Sequence, residues 1–194
     1  MAFAEIISSS LVSFTAQCWD WERVPQFGQC VVVDGFASKT KIYGVVYQIN
    51  TGSADGQREA QAFGKTYAEL RQQQPQIFHF LKITFYCTPI GYSTDNVYSV
   101  EALTFPAMIH AFVGFANSDQ KEKLFSDFAF LDQLFTVQNL TIPIEDLLLA
   151  VLKSNCNVTA EYALRLLERY TSFVDNDYIK IRNFSKKLQT VSKL

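Results

Sequence analysis

The chain has 194 residues and a nearly balanced charge, with 17 Lys and Arg against 19 Asp and Glu. Hydrophobic residues make up 48% of it and charged residues 19%, so the chain buries a core of its own and is not intrinsically disordered. The net charge of −2 removes overall basicity as an argument for nucleic-acid binding.

The N-terminal segment and the most apolar stretch of the sequence lack the patterns of an export signal and of a membrane span. Residues 1–14 contain Glu5 and no Lys or Arg, and three serines interrupt their apolar residues, so we expect no secretory signal. The most apolar stretch, 76–92, contains a lysine, a histidine and a proline and is too short to cross a bilayer. We therefore expect a cytoplasmic protein with no membrane partner.

The four cysteines are far apart and form no CxxC pair, which is not the clustered spacing of zinc ligands. In a reducing compartment we expect them to be buried free thiols, although Cys18 and Cys30 have a spacing that would also suit pairing across adjacent strands.

The first hundred residues have the pattern of short strands separated by turns. Runs of β-branched, aromatic and alternating apolar residues predict five strands. The predicted strands are 11–19, 29–33, 41–50, 76–87 and 96–103. Residues 57–74 consist largely of helix formers and predict a helical insertion, while 91–95 predict a turn. Five or six strands with one helical excursion are typical of a small closed barrel.

Beyond about residue 105 the apolar residues change to helical spacing and predict four amphipathic helices. Each has a residue suited to its start, either a capping side chain or a proline. These residues are Asp119, Pro143, Thr159 and Asp175. Each helix has to bury its apolar face against a neighbouring helix, the barrel or a partner protein.

Residues 42–46 (IYGVV) follow two predicted strands and have the pattern apolar–x–Gly–x–Val. Gly44 within this strand indicates a bulge, a barrel corner or close backbone packing. With this motif the sequence resembles the HAS-barrel family, named for the HerA helicase and the ATP synthase subunits. The continuation through residues 49–78 and the segment 105–110 (FPAMIH) are similar to the stand-alone cyanobacterial members, and the resemblance covers about residues 5–115.

The resemblance implies a six-stranded barrel, which in the large family members precedes a ring-forming ATPase, helps its subunits assemble and does not hydrolyse nucleotide. We expect no ATPase domain after this barrel, so an assembly role would need a partner protein or self-association. We predict an α+β fold, with a HAS-like barrel over residues 1–105, a helical insertion near 57–74, and an all-α region over 106–194. The predicted function is a non-catalytic interaction or assembly module.

No complete catalytic motif is present in the sequence. Residues 64–66 (GKT) match the tail of a phosphate-binding loop, but Glu59 stands where that loop needs a glycine, so we expect ATP to be neither bound nor hydrolysed. His79 and His110 lie in apolar surroundings that favour structural roles. We assign no catalytic, cofactor-binding or metal-binding residue and no small-molecule substrate. An enzyme with a site assembled from dispersed residues is the alternative, and a pocket joining either histidine to a carboxylate would indicate it.

Nucleic-acid binding is a further alternative, carried by a basic segment near the end of the chain. Its candidate contact residues are Lys180, Arg182, Lys186 and Lys187. Tyr178 and Phe184 are interleaved with these cations, as in single-strand binding surfaces. Cations near a helix C-terminus also stabilise the helix itself, which is the simpler interpretation.

The aromatic content is high, with 17 Phe and 9 Tyr. Phe105, Phe112 and Phe115 form a group expected to join the barrel to the helices. Burial under the helices is the simpler interpretation, and an exposed apolar patch for a partner or for self-association is the other.

Overall fold

The computed structural model describes residues 1–55, 60–137, 140 and 142–191. The strands are β1 (Ala2–Ser9), β2 (Phe14–Cys18), β3 (Cys30–Asp34), β4 (Thr40–Ser53), β5 (Leu81–Thr94), β6 (Val97–Ser99) and β7 (Phe112–Phe115). The helices are α1 (Tyr67–Gln73), a 3₁₀ helix (Pro75–Phe80), α2 (Ser118–Phe125), α3 (Phe130–Leu134), α4 (Ile144–Asn155), α5 (Ala160–Thr171) and α6 (Tyr178–Gln189).

Six of these strands form a closed barrel. They pair in the order β2-β1-β7-β3-β4-β5, and β2 also pairs with β5, which closes the sheet on itself. Every pairing is antiparallel, and the short β6 extends β5 outside the closed ring. The predicted α+β fold, with an N-terminal six-stranded barrel and a helical C-terminal region, is confirmed.

The barrel interior is filled by side chains, because residues at alternate positions of each strand point to the same face. In β2, for example, Phe14, Ala16 and Cys18 are all buried. The interior residues include Phe3, Ile6, Phe14, Ala16, Val31, Val33, Ile42, Val46, Ile83, Phe85, Cys87 and Val113. Phe115 stacks on Phe3 with ring centroids 4.2 Å apart. The barrel is therefore a packed core and not a channel.

A second core lies between the barrel and the helices. Cys30, Tyr43, Val45 and Ile90 belong to β3, β4 and β5, and they pack together with the buried residues of α2 to α6. The helical region therefore covers the outer face of these three strands, as its amphipathic pattern requires. None of the helices in the described part of the chain combines the length and the apolarity needed to traverse a bilayer.

Gly28 and Asn155 fasten the barrel to α4. The Asn155 side chain donates to the carbonyl oxygen of Gly28 at 2.7 Å and accepts from the backbone N–H of Cys30 at 3.0 Å. It also donates to the Val151 carbonyl oxygen, at 2.8 Å, within its own helix. One amide side chain thus satisfies backbone groups of both units, which fixes their spacing.

The sheet differs from the prediction at both ends. β1 was absent from the predicted strands, and β7 lies past residue 105, inside the region 106–194 that the spacing predicts to be helical. β7 has only four residues, too few to show an alternation, and it is held by β1 on one side and β3 on the other. The barrel strands therefore extend to Phe115, beyond the predicted boundary at 105.

The predicted turn at 91–95 coincides with the observed one only at Asp95, because β5 continues through Thr94. Gly91 allows β6 to lie close to β5, since a Cβ at this position would lie 2.6 Å from the Ser99 carbonyl oxygen. The chain reverses instead at Asp95 and Asn96, which both have positive φ. Residues 76–80, predicted as the start of a strand, belong instead to the 3₁₀ helix, whose first residue is Pro75.

The helical insertion predicted over 57–74 contains one short helix, α1, in its second half. Thr66 caps this helix by accepting from the Glu69 backbone N–H, and the Glu69 carboxylate accepts from Thr66 in return. Gly64, two residues earlier, has a φ of +63°, and residues 60–66 are not helical. Residues 56–59 lie outside the described residues.

Two of the predicted helix starts are displaced by two residues. The first helix of the C-terminal region begins after Asn117, which forms a capping box with Gln120, and the last begins after Asp177. The segment predicted as one helix is divided into α2 and α3, where Phe128 has a φ of +62°. Thr159 caps α5 as predicted, accepting from the Tyr162 N–H.

Candidate interaction surface

The outer surface of β1, β2 and β7 lies opposite the strands that the helices cover. Glu5 of β1 pairs with Gln17 of β2 on one side and with Phe112 of β7 on the other, so the three share a face. Phe112 is 58% exposed and Trp19, which directly follows β2, is 51% exposed. Ile7 of β1 is also exposed. We call the surface formed by Glu5, Ile7, Trp19 and Phe112 the β1–β7 face.

Trp19 and Phe112 contact each other on this face. Their ring centroids are 5.1 Å apart and the rings are perpendicular, at 89°. This edge-to-face arrangement is the favoured geometry for an aromatic pair and fixes the two rings relative to each other. The β1–β7 face therefore presents a preordered aromatic surface to solvent.

The charged groups beside the aromatic pair are hydrogen-bonded within the chain. His110 Nδ1 lies 2.5 Å from Glu5 Oε1, and the His110 backbone, at a φ of +67°, donates to the Ile6 carbonyl oxygen. Arg23 donates to the carbonyl oxygens of Met1 and Ala2 at 3.1 and 3.2 Å. The surface thus combines exposed aromatic rings with one carboxylate and one guanidinium of opposite charge.

The three phenylalanines expected to join the barrel to the helices are separated in the structure. Phe112 points outward on β7, and Phe115, three positions along the same strand, packs inward on Phe3. Phe105 stacks on Phe36 at one end of the barrel. Sequence reasoning missed Trp19, because only the pairing register places it beside Phe112.

Three of the four basic candidate residues line one groove. Lys180, Lys186 and Lys187 surround a volume of about 510 Å³ beside Glu145. Lys187 forms an ion pair with Asp146 at 2.5 Å, so carboxylates already neutralise part of this surface. The lining residues do not include Arg182, which is exposed on the same helix. Nucleic-acid contact through these residues stays a prediction.

The prediction that both histidines lie in apolar surroundings is wrong, because both side chains are exposed. His79 is exposed in the 3₁₀ helix, and the side chain of His110 is largely exposed beside Glu5. Lys65 donates to the Gln73 side chain at 2.6 Å, and Thr66 caps α1. In this arrangement Lys65 and Thr66 of the GKT segment are hydrogen-bonded to residues of α1.

A polar groove of about 660 Å³ between α2 and the end of α4 contains the chain's half-buried thiol. Burial raises the pKa of Cys156 to about 11, so the thiol stays protonated near neutral pH and is a poor nucleophile. The neighbouring Tyr162 hydroxyl donates to the Phe125 carbonyl oxygen at 2.9 Å, and Lys121 donates to the Ser154 carbonyl oxygen at 3.1 Å. These polar groups are engaged in holding the helices together.

The other three cysteines are buried free thiols, as expected. Within the described part of the chain, no three His, Cys, Asp or Glu side chains are grouped as metal ligands. Burial raises the pKa of Cys18 to about 11 and that of Cys30 to about 12, and desolvation raises the pKa of Tyr43 to about 12.

These raised pKa values predict that the protein loses stability at alkaline pH. The unfolded chain releases the thiol protons from about pH 9, while the folded chain keeps them, so the folded state binds more protons and stability falls as pH rises. We expect the protonated Cys30 thiol to contribute fully to the free energy of unfolding below pH 9. This contribution is lost progressively as the pH rises to about 12. The measurement is the urea midpoint between pH 7 and 11. A Cys30→Ala variant is expected to show a shallower decline, and an unchanged midpoint across the range would contradict the prediction.

No family model matches the sequence, and a search of the curated proteins finds no relative.

Proposed function

We propose that this protein is a non-catalytic assembly module of the HAS-barrel type that associates with a second copy of itself through the β1–β7 face. The observation that carries the proposal is the exposed Trp19–Phe112 pair on the strands that the helices leave open. Tryptophan and other aromatic residues are enriched at the energetically dominant centres of protein interfaces.

The HAS-barrel part of the proposal is supported by the barrel and by the position of the motif. The six strands close on themselves, and the residues 42–46 lie in β4. Gly44 lies at a register shift against β5, and the Phe14 ring packs on its backbone. A barrel of this type acts in assembly in the large family members, so surface contacts are the expected route to function.

A second copy is the favoured occupant because the β1–β7 face is compatible with itself. In a two-fold dimer the same patch is present on both subunits, so a patch with a strong net charge would repel its copy. Here Glu5, hydrogen-bonded to His110, and Arg23, hydrogen-bonded to backbone carbonyls, carry opposite charges. The aromatic rings at the centre gain from mutual burial without bringing like charges together.

The non-catalytic part of the proposal is supported by the state of the reactive groups. The barrel interior is filled by apolar side chains, the thiols have raised pKa values, and the GKT residues are engaged in α1. Among the described residues, these thiols are therefore protonated near neutral pH, and Lys65 and Thr66 are structurally engaged.

The test is the molar mass of the purified chain by size-exclusion chromatography with light scattering at several concentrations. We expect the mass to rise toward twice the 22.1 kDa of one chain. Phe112→Ser is expected to shift this rise to at least tenfold higher concentration, because it removes one ring of the exposed pair.

Tyr178→Ser is the matched control, since Tyr178 is 73% exposed and lies at the start of α6, in the helical region that covers the opposite strands. Circular dichroism confirms that both variants are folded, and Trp19→Ser replaces Phe112→Ser if the latter is not. A mass of one chain at every concentration, or a dimer that Tyr178→Ser weakens and Phe112→Ser does not, would overturn the proposal.

A further inference from the structure

One end of the barrel contains an apolar pocket of about 220 Å³. Its walls come from the β3–β4 turn, from the paired ends of β4 and β5, and from the segment after β6. Ile42 and Leu103 belong to the interior cluster of the barrel, and both line the pocket. The pocket is therefore an opening into the end of the packed interior.

Two aromatic rings stand at the mouth of this pocket. Phe36 and Phe105 are 66% and 55% exposed, and their rings stack with centroids 5.7 Å apart and 24° between their planes. Tyr92, which pairs with Ile42 across β4 and β5, adds a third ring to the lining. Exposed rings at a concave apolar site are typical of surfaces that bind another ring.

The polar groups of the pocket are few and uncharged. The hydroxyls of Thr40 and Thr94 face each other at 3.2 Å, so one hydrogen bond joins them and one hydroxyl hydrogen stays available for a ligand. The described residues that line the pocket include no charged side chain. Lys39 and Lys41, which flank Thr40, are paired with Asp95 and Asp34.

We propose that this pocket binds a small neutral aromatic molecule of one or two fused rings with at most one hydrogen-bonding group. The volume fits this class, since an apolar protein cavity of roughly 150 Å³ already holds benzene. A charged ligand would lose its hydration without gaining a counterion, because the neighbouring lysines and aspartates are already paired. The proposal is independent of the self-association described above.

The test is a titration of the isotope-labelled chain with phenol and with indole, followed by nuclear magnetic resonance. We expect both probes to shift the methyl signals of Thr40, Ile42 and Thr94, with saturation in the millimolar range or below. Benzoate serves as the charged counterpart of phenol and is expected to bind at least tenfold more weakly.

Phe105→Ala is expected to weaken the binding of phenol and of indole by roughly tenfold, because it removes one of the two rings at the mouth of the pocket. Phe80→Ala is the matched control, since Phe80 is also 55% exposed but does not line the pocket, and it is expected to leave binding unchanged. Methyl spectra of the free variants report whether each is folded, and Phe36→Ala replaces Phe105→Ala if needed.

Four outcomes would overturn the proposal. The first is the absence of shifts at the pocket methyls at the solubility limit of both probes. The second is equal binding of benzoate and phenol. The third is an equal loss of binding in Phe105→Ala and Phe80→Ala. The fourth is binding of N-acetyl-tryptophanamide at least tenfold more tightly than indole, which would identify a protein side chain as the occupant.

Discussion

Replacing Gly28 by alanine is expected to lower the free energy of unfolding by about 2–5 kcal/mol, a large share of the roughly 5–15 kcal/mol typical of a domain. A Cβ at this position would lie 2.4 Å from the Ala150 carbonyl carbon and 2.6 Å from the Val151 nitrogen, both in the backbone of α4. The φ of +81° adds a conformational cost for any L side chain. Urea unfolding followed by circular dichroism measures the change.

Gly64→Ala is the matched control for Gly28→Ala. Its φ of +63° is also in the left-handed region, but no atom lies within 4 Å of the added Cβ. The control is expected to cost about 1–2 kcal/mol at most, so the difference between the two variants isolates the contact with α4. Equal losses in the two variants would show that the barrel and α4 do not depend on this close approach.

The fold class followed from periodicity, because both halves of the chain bury one face of each element. Strand alternation at Phe14, Ala16 and Cys18 and the helical spacing of the C-terminal apolar residues each report which side chains are buried. The barrel closure also depends on β1 and β7, whose pairing is long-range. No local pattern of a four-residue strand contains that information.

The predicted element boundaries are wrong where a residue type is common in two different kinds of local structure. Glycine is common in turns, yet Gly91 lies within β5, where the missing side chain allows β6 to approach closely. Asp175 is a good helix cap by type, but its φ of +49° places it in the preceding turn, and Asp177 caps α6 instead. Which use applies is decided by tertiary contacts and not by the local sequence.

The candidate surfaces were only partly accessible to sequence reasoning for the same reason. The sequence places Phe112 in a group of aromatic residues near the barrel boundary. Whether its side chain is exposed depends on the register of β7 against β1. Trp19 and Phe112 are distant in sequence and meet only across the sheet. Likewise Phe36 and Phe105 meet only because the β3–β4 turn and the segment after β6 lie at the same end of the barrel.

Gly44→Ala is expected to cost about 1–3 kcal/mol, since it adds a methyl group to a filled interior. The added Cβ would lie 2.7 Å from two ring carbons of Phe14 and 3.2 Å from the Cβ of Cys87. Phe14 is 2% exposed, so its ring has no open space into which to move. The loss is measured as a lower urea midpoint with an unchanged slope.

Gly52→Ala, in the same strand, provides the comparison, because no atom lies within 4 Å of its added Cβ. Alanine loses less backbone entropy on folding than glycine, so we expect this variant to be as stable as the natural sequence or more stable. The double variant Gly44→Ala with Phe14→Leu tests the cause directly. If the Phe14 ring is the obstacle, the alanine costs less in the Phe14→Leu background than alone, and an equal cost in both backgrounds would place the strain in the backbone of β4.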